Sequence, residues 1–172
     1  MIYDLVPENA PILKTRIAEW LFESFPEMAM TVHRDNVKMV ERLRETMNHH
    51  AAVGLAANQC GLGVRVFVCQ DRYAVFNPEI ISSSEDCGTD EEGCLSFPDL
   101  WMKIKRPNEI TVKYQNIDGD TVTETVRGFL ARLFQHEIDH LNGLTIFDRA
   151  SRYHRDLAVK NREKLWKKRQ KK

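Results

Sequence analysis

Between about Asp35 and His49, Val37, Met39, Val40, Leu43 and Met47 recur at helical intervals, while Lys38, Glu41, Arg42 and Arg44 take the remaining positions. That period gathers the apolar side chains into one stripe and predicts an amphipathic helix. Further on, Val64 to Cys69 and Tyr73 to Phe76 are apolar, β-branched or aromatic runs parted by Asp71 and Arg72, the pattern of two strands in a hairpin. A second hairpin is sharper: Ile110, Val112 and Tyr114 alternate, Asp118-Gly119 supplies a tight-turn pair, and Val122 and Val126 fall on the return strand. From about Arg127 to Asn142 the period is helical again, and it stops at Asn142-Gly143, a pair suited to a left-handed C-cap. Strands bracketing a buried helix make the expected class α+β.

The two ends read differently. The stretch through Lys14 contains Pro7 and Pro11 and is expected to be extended or turning chain, because proline restricts its own backbone and that of the residue before it. From about Ser151 the chain is polar and basic, and Leu157, Leu165 and Trp166 would form a partial apolar stripe on a helix. The longest loop signal is the polar stretch from Ser82 to Glu92. No repeat, low-complexity tract or Gly/Ser linker interrupts the chain, and 172 residues suit one compact domain. Residues 1–172 are therefore expected to form a single domain, with 151–172 as a basic C-terminal helix or tail.

Composition narrows the class. With 42% hydrophobic and 29% charged residues the chain lies outside the disordered range. The apolar stretch from Ile17 to Met30 is broken by Glu19, Glu23, Pro26 and Glu27, too soon to cross a bilayer. Those acids, with Asp4 and Glu8, also argue against a secretory or transit segment, so a cytoplasmic location is expected. Cys60, Cys69, Cys87 and Cys94 make neither a CxxC pair nor a small disulfide framework, and free thiols are expected. Net charge is zero but segregated: residues 151–172 hold ten Lys or Arg against two acids, so that segment is +8 and the rest −8.

Chemistry enters with His136-Glu137-Ile138-Asp139-His140, an H-E-x-x-H run inside the second predicted helix. Side chains four apart lie on one face, so both imidazoles can reach one ion, with Glu137 beside them to take a proton from water that the metal acidifies. A catalytic site of this kind typically needs a third protein ligand. The metzincin continuation fails, because Ile146 stands where its last histidine belongs. A glutamate further downstream exists only as Glu163, in the Lys/Arg-rich tail, which leaves a zinc endopeptidase using His136, His140 and Glu163 as a rival. Cys94, in Glu92-Gly93-Cys94-Leu95-Ser96, is the remaining soft ligand, although a lone cysteine is ordinarily a small buried hydrophobe. A thiolate would suit iron, zinc or cobalt over magnesium.

Three separated segments together resemble the signature motifs of the peptide deformylases: Ala52-Val53-Gly54-Leu55-Ala56-Ala57-Asn58-Gln59, Glu92-Gly93-Cys94-Leu95-Ser96 and Gln135-His136-Glu137-Ile138-Asp139-His140, with Ala52 in place of the usual first glycine. The resemblance runs from Pro7 to the end of the chain and implies antiparallel sheets packed around the motif-bearing helix. It implies hydrolysis of the N-formyl group from the initiating methionine of new polypeptides, with release of formate. Cys94, His136 and His140 would hold Fe2+, replaceable by Zn2+, Ni2+ or Co2+; Glu137 would be the acid and base. Gln59 and the Leu95 N–H would face the developing oxyanion, a substrate strand would run along Val53, Gly54 and Gly93, and Phe129, Arg132 and Leu133 would line the methionine pocket.

Arg132 departs from the apolar residue usual there. Its stem is expected to cover the pocket while its charge reaches water. Ala52 raises the question whether a residue with a side chain fits the rim's backbone. Asp139 is read as orienting a ligand or capping the helix. The expected partner is the N-formylmethionyl nascent chain, with no membrane and a monomeric state, and the basic tail suggests ribosomal RNA, which some bacterial members meet through such a helix. A non-catalytic metal-binding or interaction protein is the rival from another class; an intact Glu137 and Gln59 weigh against it.

Overall fold

The computed structural model describes residues 2–22, 26–70 and 72–171, the side chains of 26–32 excepted. Glu23, Asp71 and Lys172, which enter the readings above, lie outside the described residues. In chain order the elements are α1 (Pro26–His49), β1 (Gly54–Ala56), β2 (Val66–Cys69), β3 (Tyr73–Ser83), β4 (Cys87–Cys94), β5 (Phe97–Pro107), β6 (Glu109–Gln115), β7 (Thr121–Arg127), α2 (Gly128–Leu141), α3 (Ile146–Arg149) and α4 (Arg152–Arg169). Five strands form an antiparallel sheet in the order β1-β2-β3-β6-β7, and β4 pairs with β5 in a separate antiparallel ribbon. The class is α+β, as the alternation of strand and helix patterns leads one to expect.

Helix α2 is the centre of the molecule. Ala131, Leu133, Phe134, Gln135, Glu137, Ile138, Asp139, His140 and Leu141 are buried on it, far more than the single stripe a surface helix hides. Phe134 meets Phe67 and Tyr73 edge-on, both with ring centroids 5.1 Å away, which fixes the helix against β2 and β3. The expected C-cap is present: Gly143 has φ 73°, its N–H donates to the His140 carbonyl at 3.1 Å, and Leu144 N–H donates to the Asp139 carbonyl at 2.8 Å. A side chain there would also strike the Lys14 backbone, 2.8 Å from an added Cβ.

Several boundaries differ from the sequence reading. Helix α1 begins at Pro26 rather than near Asp35, since proline costs nothing at the first helical position, where its missing N–H has no intrahelical partner. The second hairpin turn is a loop over 116–120, in which the Asn116 side-chain oxygen accepts from the N–H groups of Asp118 and Asp120. The expected loop from Ser82 to Glu92 is mostly strand: Ser82 and Ser83 end β3, and Cys87 to Glu92 pair with β5 from Pro107 to Met102. Backbone ladders need no apolar side chains, so a polar strand gives no hydrophobic signal. Strand β5 went unread for a related reason: Lys103 and Lys105 point outward, but Arg106 takes an inward position in line with Leu100, Met102 and Ile104. The N-terminal stretch contains one short 3-10 turn, Pro11–Lys14.

Helix α4 is capped by Ser151, whose Oγ accepts the His154 N–H. It lies back on the body, but not through the expected stripe, since Leu157, Leu165 and Trp166 remain exposed and Ala158 is its buried residue. Polar ties hold it: Trp166 Nε1 and Arg169 donate to Asp99, at 2.9 and 2.6 Å, and Arg162 pairs with Glu8 at 2.8 Å. Among the described residues no helix is long and apolar enough to cross a membrane, and Cys60, Cys69, Cys87 and Cys94 are unpaired.

Candidate metal centre

Three elements converge on one point. Helix α2 brings His136 and His140 to one face with ring centroids 5.0 Å apart, the end of β4 brings Cys94, and the short turn Ala57–Cys60 brings Gln59. One ligand atom from each of Cys94, His136 and His140 lies within 4.8 Å of the others, and Cys94 Sγ is 3.1 Å from His140 Nε2. His136 Nδ1 is 3.0 Å from Glu92 Oε2, which leaves Nε2 facing the sulfur side. His140 is set by the backbone: Asn58 Nδ2 donates to its carbonyl at 2.7 Å. One thiol, two imidazoles and a neighbouring carboxylate are a donor set that fits a divalent transition metal.

Glu137 lies beside this group, 2% exposed, and its Oε2 is buried without a hydrogen-bond partner among the described residues. Burial pushes its carboxyl up, against the pull of His136 and His140. Gln59 has a divided role. Its Oε1 accepts the Ala56 N–H at 2.9 Å, so the side chain caps backbone, while Nε2 donates to Ser96 Oγ at 3.0 Å and stands 3.5 Å from Cys94 Sγ. Leu95 follows a register shift between Gly93 and Cys94, which turns the chain at the end of β4.

An ion network that the sequence reading missed supports the histidine. Glu92, buried on β4, accepts from Arg106 Nε at 2.6 Å and Nη2 at 2.9 Å as well as meeting His136. Burial opposes its ionisation, but the bonds from Arg106 and His136 hold its carboxyl well below the usual range. Arg106 also donates to Asp139 at 2.8 Å, and Arg149 binds both oxygens of Asp139. Asp139 is thus an anchor for α2 against β5 and α3 rather than a helix cap. No signal in the sequence marked the network, because Arg106 reads as a surface charge until β5 places it inward, against Glu92.

A cavity of about 730 Å³ opens over the centre, lined among others by Val53, Gly54, Gln59, Gly93, Arg132 and Leu133. Phe129 is not part of it and is 59% exposed, a correction to the expected pocket. Helical spacing puts Phe129 on the face of His136, but two turns, about 10 Å, carry it past the cavity's edge. Arg132 is also corrected. Its charge does not reach water: Nη1 donates to Glu92 at 2.7 Å and to the Ile104 carbonyl at 3.0 Å, and Nη2 to the Gly88 carbonyl at 2.9 Å. At the rim, Ala52 is not among the residues with positive φ; its neighbour Ala51 is, at 50°.

Gly54 is where a side chain would do most harm. A Cβ there would overlap Glu137 Oε1 and stand 2.8 Å from Leu133 Cδ1. Gly54→Ala should therefore leave the fold in place, displace the carboxylate, and lower kcat by about 100-fold, the effect of a roughly 1 Å misplacement; an unchanged kcat in steady-state assay would contradict this.

The endopeptidase alternative has no structural support. Glu163 is exposed on α4 outside the cavity, and Ile146 is buried in a core cluster with Leu100 and Met102.

Comparison with known proteins follows the same line. Residues 9–156 match the family model described as polypeptide deformylase. A peptide deformylase of Thermotoga sp. (strain RQ2) is 48% identical over 126 residues, which span 71% of this chain and 77% of that protein. The crystal structure of peptide deformylase from Thermotoga maritima superposes with a TM-score of 0.79 at 41% identity, covering 88% of this chain and 99% of that one. The Met-Ala-Ser-bound class I type b peptide deformylase from Acinetobacter baumannii superposes at 0.75 with 27% identity, covering 87% and 98%.

Proposed function

We propose roles for the individual side chains from one premise: the chain belongs to the polypeptide deformylase family and hydrolyses the N-formyl group from the N-terminal methionine of newly made polypeptides, releasing formate. The observation that carries the assignment is the convergence of Cys94, His136 and His140 beside the unbonded Oε2 of Glu137. Those three residues hold the metal, Fe2+ in the working enzyme with Zn2+, Ni2+ or Co2+ as substitutes, consistent with mixed thiolate and imidazole donors. When bound, it supplies Lewis-acid activation of water near neutral pH.

Glu137 accepts the attacking water's proton at Oε2 and returns it to the leaving amine nitrogen, one carboxylate serving both steps. Gln59 Nε2 and the Leu95 N–H stabilise the oxygen that becomes negative as the formyl carbon turns tetrahedral. The capping bond at Gln59 Oε1 fixes the amide so that Nε2 points toward Cys94. The peptide adds as a strand along Val53, Gly54 and Gly93. Support for that comes from the sheet order, because among the described residues β1 is an outer strand with one unpaired edge, and from Val53, which is half exposed at the cavity. Arg132 and Leu133 wall the space for the first side chain.

Anaerobic assay of Fe2+-loaded protein on formyl-Met-Ala-Ser should release one formate per peptide; a folded, metal-loaded chain that releases none would refute the reading. The chain acts as a single-domain monomer in the cytoplasm, where nascent chains are made, and a mass well above 20.0 kDa by light scattering would contradict the monomer. Helix α4 meets ribosomal RNA, since Lys160, Lys164, Lys167 and Lys168 stay exposed although the helix is docked. Charge reversal of those four lysines should abolish co-sedimentation with ribosomes at low salt, and undiminished binding would sink the idea.

A further inference from the structure

The cavity over the metal centre, about 730 Å³, has the size of a site for a small molecule, so it holds the first few residues of a polypeptide and the rest must leave across its rim. Trp101 marks one way out. It pairs with Gly93 across the β4–β5 ribbon, a Cβ added to Gly93 would stand 3.0 Å from its indole, and it is 64% exposed. Trp101 also borders a second, smaller groove of about 170 Å³, walled by Tyr153, Leu157 and Asn161 of α4 and by Glu91 and Lys103 of the ribbon. Cavity and groove therefore meet at one side chain. The helical wall is tied to the cavity's rim as well, because Trp166 and Arg169 of α4 donate to Asp99, itself a cavity residue.

The groove's chemistry suits an extended peptide. Single exposed apolar side chains are ordinary, but Trp101, Tyr153 and Leu157 are all exposed around one groove that continues the active-site cavity. Between them, the side chains of Glu91, Lys103 and Asn161 are exposed and make no hydrogen bond or ion pair among the described residues, which leaves them to accept from and donate to peptide amides. From Tyr153 to Asn161 the helix rises about 12 Å, room for three or four residues of extended chain. We propose that this groove is a subsite for the fourth to sixth residues of the formyl peptide, with Trp101 passing the chain from cavity to groove. Alternate side chains of an extended chain face one way, so apolar residues are favoured at positions four and six. This rests on the reading that the substrate strand runs along Gly93. The bond hydrolysed is the same one, and the groove adds affinity for the chain behind it.

The test compares kcat and KM for formyl-Met-Ala-Ser, formyl-Met-Ala-Ser-Leu-Ala-Phe and formyl-Met-Ala-Ser-Gly-Ala-Gly in metal-loaded wild type and in the double variant Tyr153→Ala, Leu157→Ala. Wild type should favour the Leu-Ala-Phe peptide over the Gly-Ala-Gly peptide by about tenfold in kcat/KM, the worth of partly burying one or two apolar side chains, with the difference in KM. The double variant should cut that preference to about twofold or less and leave the tripeptide's constants alone, since neither residue lines the cavity. Equal constants for the two hexapeptides in wild type, the same preference in the double variant, or a tripeptide slowed as much as the hexapeptide would each overturn the proposal. Both side chains are exposed and the fold should survive; if it does not, the wild-type preference and its change in Leu157→Ala alone decide the matter. Hydrolysis of the tripeptide without a preference between hexapeptides sinks the groove alone, whereas no hydrolysis of any of the three by folded, metal-loaded wild type means that the reading beneath it fails too.

Discussion

Glu137→Gln is expected to lower formate release from formyl-Met-Ala-Ser by about 10²- to 10⁴-fold while the protein keeps one metal ion per chain. The two halves of that result come from separate geometry. Metal retention follows because the ligand atoms belong to Cys94, His136 and His140, and an amide in place of the carboxylate alters none of them. Loss of rate follows because the amide cannot accept a proton from water or return one to the leaving nitrogen. Folding should be unaffected: the side chain is 2% exposed with one oxygen unbonded, and burial already disfavours its charged form. A neutral isostere is, if anything, easier to bury. The check is a formate assay beside elemental analysis on the same preparation, and equal rates for the two proteins would remove Glu137 from its role.

Cys94→Ala should have the next largest effect, with the opposite signature: metal affinity falls by at least about 100-fold and activity disappears with it. Outer-shell partners of metal ligands alone are worth about 10- to 100-fold, and a ligand is worth more. The substitution is a small one at a half-buried position, so the apo protein should still fold. A site built from His136, His140 and Glu163 would instead keep its metal, and competition with a chelator of known affinity separates the two outcomes.

How much of this was legible in the sequence varied with the physics of each element. Helix α2 could be read almost to the residue, because its apolar period, its two histidines and the Asn142-Gly143 stop all point the same way. The β2–β3 and β6–β7 hairpins were visible for a similar reason, their alternation being carried by Val, Ile, Tyr and Phe. Strands β4 and β5 were not, since β4 carries no apolar alternation, and in β5 the inward series Leu100, Met102 and Ile104 is blurred by the exposed Trp101 and ends on Arg106. The inward turn of Arg106 hides β5 and the Glu92 network together: a charged residue gives no sign of facing inward until its partner, fourteen positions away in sequence, is placed opposite.

The candidate site divides along the same line. His136, Glu137 and His140 follow from helical spacing, Cys94 was the soft ligand left once the metzincin completion failed and was tied to them by the resemblance, Gln59 came through the resemblance alone, and the fold brings them to the same point. Phe129 shows the limit of spacing, which gives the face of a helix and not how far a cavity extends along it. Arg132 shows the limit of a general habit: long cationic side chains usually reach for solvent, and this one found an acid and two carbonyls nearer.

The central claim is that a thiolate and two imidazoles share one metal beside Glu137. X-ray absorption spectroscopy of the zinc-loaded protein tests it most directly. One sulfur and two imidazole nitrogens in the first shell, with the sulfur lost in Cys94→Ala, is the result expected; a first shell of nitrogen and oxygen alone would contradict it.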